Sequence, residues 1–270
     1  SLSVAALKDR GFEKIPSYGV EPIDVPGAVA GWMTLHERFG KLPLEEVMAL
    51  AIRYAEEGYP VTPNISRLWQ EAFENYSKYR DRPEFQGWFD TFAPNNTWLK
   101  PGEMFRCPDM AKTLKEIAAT KGESFYRGAI AEKIDAFFKK HNGFLTKEDL
   151  AAFKPEWVDP ISVNYHGVDV WELPPNGHGI TVLMALQILK DMKLGERDCV
   201  DTMHKQIEAM KLAMVDTAQY VAEPSYMKVS VDQLLSEKYA AKRRALINDQ
   251  AIMPEPGEPG CPSTVYFCCA

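Results

Sequence analysis

The sequence predicts an α+β protein that is mainly helical and contains one β-hairpin. Apolar residues recur at helical spacing through most of the 270-residue chain. The spacing changes to alternation from Ile161 to Tyr165, and Gly167 separates this run from an apolar stretch at 168–173. A Pro/Gly-rich stretch at 253–263 then precedes a short β-prone run at 264–270. We therefore predict a mainly helical part at 1–263, ending in a linker at 253–263, and the start of a strand at 264–270.

Helix start and stop residues justify most of the helical elements. Pro26 begins the first clear period and Gly40 follows its last apolar residue, Phe39. Thr146 and Asp149 have the spacing of a capping box. Residues 83–106 show no period and contain Pro and Gly, which predicts a long surface loop. Further helices are predicted after Pro43, Pro63 and Pro108, at 130–138, after the loop at 174–179, at 203–217 and as a basic surface helix at 239–248.

Composition and charge exclude several classes of protein. The chain is 46% hydrophobic, which is typical of a globular protein, and no stretch has the apolar length of a membrane span. Acidic residues outnumber basic ones by 38 to 31, which gives a net charge of -7 and would repel a phosphate backbone. We therefore expect neither a nucleic-acid partner nor a membrane span in this segment.

The five cysteines show no disulfide framework. They lie at positions 107, 199, 261, 268 and 269, without a CxxC pair. Cys268 and Cys269 would point to opposite faces of a strand, so we interpret the cysteines as small buried apolar residues. This usage favours a reducing compartment and thus the cytoplasm over the periplasm or secretion, although the sequence does not fix the location.

Histidines and methionines give no metal or cofactor signal. No HxxxH or HxH spacing occurs, so we expect no metal site and no cofactor. His178 lies in a Gly/Pro loop before a helix, where an exposed turn residue is the simpler interpretation. His36 is interpreted as a hydrogen-bonded core residue. Met203, Met210 and Met214 have helical spacing and are interpreted as core.

Thr264 is the candidate nucleophile. A Thr that begins a strand after a Pro/Gly segment could attack the carbonyl of Ser263, convert the amide into an ester and become a new N-terminus. The freed α-amine has an ordinary pKa of about 7.7 to 8.0, so it could accept the proton of its own hydroxyl. The alternative is that Thr264 simply begins a strand.

Several separated motifs resemble the γ-glutamyltranspeptidase family of N-terminal-nucleophile hydrolases. They include Val25-Pro-Gly-Ala-Val-Ala-Gly-Trp32, Gly40-Lys-Leu-Pro43 and Gly143-Phe-Leu-Thr-Lys-Glu-Asp-Leu150. The resemblance covers almost the whole chain. It implies an αββα sandwich, of which 1–263 would be the helical large-subunit part and 264–270 the first strand of the small subunit.

The same resemblance implies a function and its site residues. A self-cleaving zymogen would split between Ser263 and Thr264, and Thr264 would then transfer a γ-glutamyl group from a glutathione-like donor to water or an amine. The partner would be the missing remainder of the small subunit. The family's substrate-binding arginine and oxyanion-hole glycines would lie outside the segment, so its substrate-binding residues are unknown and the segment alone should be inactive.

Two positions depart from the family pattern. Thr217 follows Asp216 where Arg is usual, and Val265 with Tyr266 replaces a frequent Thr-His. These differences suggest a subgroup whose acyl donor is not glutathione. One alternative is a related acylase that acts on a β-lactam side chain or on poly-γ-glutamate. A separate alternative is a noncatalytic helical interaction module, in which Thr264 merely begins a strand.

Overall fold

A computed structural model describes residues 3–260, which divide after Pro155 into two compact units. The predicted boundary at 263 lies outside the described residues, and the division at Pro155 was not predicted from the sequence.

The first unit is helical, with one two-residue strand pair. Pairing between the strands is antiparallel, with Tyr59 opposite Phe105. The helices are α1 Val4–Asp9, α2 Ala28–Phe39, α3 Leu44–Glu57, α4 Pro63–Tyr76, α5 Gln86–Phe92, α6 Pro108–Thr120, α7 Glu123–Arg127, α8 Ala129–Lys140 and α9 Lys147–Ala152; the strands are β1 Tyr59–Pro60 and β2 Met104–Phe105.

Local capping explains several of these boundaries. The Thr62 hydroxyl accepts from the amide of Ile65 at the start of α4, and Pro63 occupies the first helical position. The predicted capping box at α9 is confirmed, because Thr146 and Asp149 bond each other's backbone amides. Leu150 of this helix is fully buried in the core formed by α2, α3, α6 and α8.

The prediction of a surface loop at 83–106 was wrong in part. A 3-10 turn at Pro83–Phe85 leads into α5, and β2 follows. Phe85 and Phe89 are buried in a separate cluster with Phe73 and Tyr76 of α4. Aromatic side chains stabilise this segment through edge-to-face and tilted contacts. Such packing requires no helical period, so periodicity did not reveal it.

The second unit contains the predicted hairpin and four helices among its described residues. In the hairpin Val163 pairs with Val170, and His166 and Gly167 form the turn with positive φ values of 50° and 88°. The elements are β3 Ile161–Tyr165, β4 Val168–Glu172, α10 Gly179–Leu189, α11 Val200–Tyr220, α12 Val231–Leu234 and α13 Glu237–Arg244.

Helices α10 and α11 form the centre of this unit. Ile180, Leu183 and Leu212 are fully buried. The interpretation of the methionine series as core was wrong for the described chain, because Met203 is 45% and Met214 58% exposed. The buried face of α11 instead contains Ala209, Leu212, Ala213, Asp216 and Thr217.

The prediction of a basic surface helix at 239–248 also needs correction. Helix α13 begins earlier, at Glu237, and ends at Arg244. Tyr239 and Arg243 are almost completely buried in it. The cationic composition suggested solvent exposure, but Arg243 pairs with the buried carboxylate of Asp216.

Candidate functional site: the segment leading to Ser263 and Thr264

The predicted cleavage residues Ser263 and Thr264 lie outside the described residues, and so do Val265 and Tyr266. The structure does describe the chain up to Gly260, three residues before Ser263. Residues 251–260 contain neither helix nor strand, as their proline and glycine content predicts. This segment is nevertheless held by several side chains of the second unit.

Helix α11 makes the first of these contacts through two of its polar residues. His204 Nε2 lies 2.6 Å from the carbonyl oxygen of Asn248. One helical turn later, Glu208 Oε2 accepts from the amide of Ile252 at 3.3 Å. The other carboxylate oxygen of Glu208, which is only 1% exposed, pairs with Lys211 at 2.7 Å. His204 thus fixes a backbone group just before the segment, and Glu208 fixes one within it.

Asp216 makes the most buried contact. Its side chain is completely inaccessible, and Oδ1 accepts from the amide of Gly257 at 2.8 Å. Arg243 Nε lies 3.0 Å from Oδ2, and Arg243 Nη2 donates to the carbonyl of Glu255 at 2.9 Å. Burial raises the pKa of the Asp216 carboxyl, while the Gly257 amide and the Arg243 guanidinium act in the opposite direction. The pKa is raised on balance, so the ion pair and the hydrogen bonds offset only part of the cost of burying the carboxylate.

Two further side chains bond the end of the segment. Tyr220 Oη donates to the carbonyl of Gly257, and Gln233 Nε2 donates to the carbonyl of Gly260. Gln233 is itself oriented by a capping box, since its Oε1 accepts from the amide of Ser230 at 2.9 Å. Burial, and next the Asp216 carboxylate, raise the pKa of Tyr239 far above its ordinary value, so this phenol stays protonated beside Gly257.

Thr217, one of the two departures from the family pattern, faces the interior. Its Oγ1 lies 2.8 Å from Thr181 Oγ1 and donates to the carbonyl of Ala213 at 2.8 Å. The pair links α10 to α11. The neutral hydroxyl thus fills a site within the helix pair.

The candidate histidines lie in different elements of the fold. His178 is the exposed residue before α10, and His36 is half-buried with Nε2 2.8 Å from the carbonyl of Leu42. His36 is therefore hydrogen-bonded as expected, but it is not a core residue. Within residues 3–260, no group of His, Cys, Asp and Glu side chains could hold a metal ion.

The two described cysteines are free and half-buried rather than buried. Cys199 precedes α11, where its sulfur accepts from the amide of Thr202 at 3.5 Å. The Thr202 hydroxyl lowers the pKa of this thiol. Cys261, Cys268 and Cys269 lie outside the described part of the chain. None of its helices has the length and apolar character needed to cross a membrane.

Sequence reasoning missed the residues that hold the segment, apart from noting Asp216. One signal was available: positions 204, 208, 216 and 220 are separated by multiples of four residues, which places successive members about one helical turn apart or a small multiple of it. Their partners lie 37 to 44 residues away, so spacing alone could not identify what they bind.

Comparison with known proteins agrees with the fold and the motifs. The family model described as Gamma-glutamyltranspeptidase matches residues 2–270. The chain is 32% identical over 255 residues to the glutathione hydrolase proenzyme of Pseudomonas aeruginosa, a match that covers 92% of the chain and 44% of the relative. It is 33% identical over 232 residues to the acylase ACY 1 proenzyme of Pseudomonas sp. strain SE83, covering 85% of the chain and 40% of that protein.

A solved structure is more similar still. The crystal structure of cephalosporin acylase from Bacillus halodurans shares 53% identity and a TM-score of 0.91, covering 96% of this chain and 48% of that one. The fold is therefore that of the helical part of an N-terminal-nucleophile hydrolase, with its hairpin. The chain belongs to the γ-glutamyltranspeptidase family. It spans about half the length of these relatives.

Proposed function

We propose that this chain is part of a precursor that cleaves itself between Ser263 and Thr264. The Thr264 hydroxyl attacks the carbonyl carbon of Ser263 and the C–N bond breaks, so that the acyl group moves to oxygen and the nitrogen becomes an amine. Water then hydrolyses the ester, leaving a carboxylate on Ser263 and a free α-amine on Thr264.

The observation that carries this proposal is the structure of the segment before the bond. Residues 251–260 form no regular element. The buried Asp216 nevertheless bonds Gly257, and Gln233, which belongs to a capping box, bonds Gly260. A free linker between domains would require no such attachment. A held but irregular segment suits a bond that must adopt an unusual local geometry. The proenzyme names of the relatives also support it.

Acyl transfer follows from the same residue. The free α-amine of Thr264 takes the hydroxyl proton as the oxygen attacks the donor's amide carbonyl, and the donor amine leaves with that proton. Water or a second amine then releases the acyl group. We propose a γ-glutamyl group as the acyl group, in keeping with the family.

A second donor is a β-lactam with an acylated side chain. This chain is 53% identical to a cephalosporin acylase, which is the observation that favours a β-lactam donor. Thr217 stands where Arg is usual in the family, which also separates this chain from the usual family pattern. A panel containing a γ-glutamyl anilide and a side-chain-acylated cephalosporin separates the two donors by the ratio of their kcat/KM values.

The test uses the full-length precursor. Wild-type protein should give two bands on a denaturing gel, with a new N-terminus Thr-Val-Tyr-Phe, and Thr264→Ala should give one band. Thr264→Ser, which keeps a hydroxyl, is the matched control and should still cleave. Cleavage of the Thr264→Ala variant at the same bond would contradict the proposal and favour the noncatalytic module.

A further inference from the structure

Helix α11 provides a row of contacts along which the 248–260 segment lies. The polar side chains of this row, at 204, 208, 216 and 220, are separated by multiples of four residues. Leu212, midway between 208 and 216, contributes its carbonyl, which accepts from Arg243 at 3.5 Å. From position 204 to 220 the helix rises about 24 Å. The nine residues from 248 to 257 reach at most about 32 Å. Asp249 and Gln250 form bends, so the segment follows the helix without being fully extended.

The segment is held most closely at Gly257. Its amide donates to Asp216, and its carbonyl accepts from Tyr220, so both backbone polar groups are bonded to side chains. A Cβ at this position would lie 2.5 Å from Tyr239 Oη and 2.9 Å from Arg243 Cδ. No larger residue fits without moving these side chains. The backbone at 257 is thus fixed in position, six residues before Ser263.

We propose that Asp216, Arg243 and Tyr220 are positioning residues for self-cleavage. This inference rests on the proposed function. By fixing Gly257 and Glu255, these residues hold the upstream side of the bond, so that the Ser263 carbonyl stays within reach of the Thr264 hydroxyl. Gln233 extends the same restraint to Gly260.

The physical reason is the geometry of attack. A hydroxyl reaches the carbonyl of its own preceding peptide bond only when the local backbone is distorted from its relaxed form. A free upstream chain would relax this distortion by rotating about its many dihedral angles. Fixing one end removes that freedom, and misplacement by about 1 Å is enough to slow a positioned reaction about 100-fold.

The experiment measures the cleavage half-time and the thermal unfolding midpoint of full-length precursors. Tyr220→Phe removes one hydroxyl and should remain folded, and Gly257→Ala displaces the backbone from its position. Asp216→Asn is the third variant. Thr217→Val is the matched control, because it removes a buried hydrogen bond of α11 that does not touch the 248–260 segment.

We expect Tyr220→Phe and Gly257→Ala to slow cleavage roughly tenfold or more, with unfolding midpoints no lower than that of the control. Thr217→Val should lower the midpoint and cleave at the wild-type rate. Wild-type cleavage rates in folded Tyr220→Phe and Gly257→Ala would overturn the positioning role alone. Equal slowing in the Thr217→Val control would overturn it too. Cleavage of Thr264→Ala would overturn the proposed function and this inference together.

Discussion

Asp135 shows how one buried carboxylate links two elements of the first unit. Only 6% of the residue is exposed, and Oδ2 accepts from Lys139 Nζ at 2.6 Å. Oδ1 accepts from the amide of Lys147, in the first turn of α9, at 3.2 Å. The hydrogen bond from Lys139 lowers the pKa of Asp135 below its ordinary value. The ionised form is therefore the one that joins α8 to α9.

This shift predicts the pH dependence of an Asp135→Asn variant. Because the folded pKa is lower than the unfolded pKa, the stabilisation is fully present above the unfolded value of about 3.9. It is lost as the pH falls through the folded pKa. The wild type should therefore unfold at a higher temperature than the variant from pH 7 to about 5, and the difference should shrink below about pH 4.

Thermal unfolding followed by circular dichroism at a series of pH values provides the measurement. The control is Asp109→Asn, because the Asp109 side chain is 91% exposed in its pair with Lys112. Its unfolding midpoint should match the wild type at every pH. A difference for Asp135→Asn that grows on acidification would contradict the assigned direction.

Single residues were predictable where their partners are close in sequence. Thr146 and Asp149 are three residues apart, so the capping box could be identified before the structure. Asp216 and Gly257 are 41 residues apart, and only the fold brings them together. The sequence therefore revealed caps and a nucleophile candidate, but not the side chains that hold the segment before it.

At the scale of elements, α11 has two faces of different character. Leu212 and Ala213 are fully buried against α10 and α13, whereas Met203, Ile207 and Met214 are exposed in the described chain. Both faces contain apolar residues at helical spacing. Periodicity therefore identified the helix correctly, but it could not distinguish the face that packs within this unit from the other face.

The two faces should respond differently to truncation of the 1–270 chain. Leu212→Ala creates a cavity and should lower the free energy of unfolding by about 2–5 kcal/mol. Met214→Ala removes a side chain that is 58% exposed, so its effect should stay within about 0.5 kcal/mol. Urea unfolding curves for the two variants measure this difference. Comparable losses for both substitutions would show that the methionine face is packed.

For the whole molecule, the main structural feature is the division into two units. Residues 153–160 have no regular structure, and residues 154–160 are exposed. The sequence predicted the helices and the hairpin on either side, but it gave no sign of the division. Pro155 and Pro160 resemble the many other prolines that begin helices in this chain, so composition did not distinguish this connection.

Limited proteolysis should detect this connection in the 1–270 chain. A protease specific for glutamate should cut first after Glu156 and leave two stable fragments, because exposed irregular segments fit a protease site most easily. The fragment masses identify the cut. Glu156→Gln should abolish this first cut, while Glu258→Gln should leave it unchanged. Early cleavage within α3 or α8 instead would contradict the assigned compactness of the first unit.

The spacing of contacts along α11 also limits how the precursor can be engineered. Adding or deleting one residue between Asn248 and Gly257 would put the wrong backbone atoms opposite Glu208 and Asp216. A recognition site for a foreign protease or an epitope tag inserted between Asn248 and Ser263 should therefore slow self-cleavage. Among homologues, the same reasoning predicts that length polymorphism should be rare between these two positions.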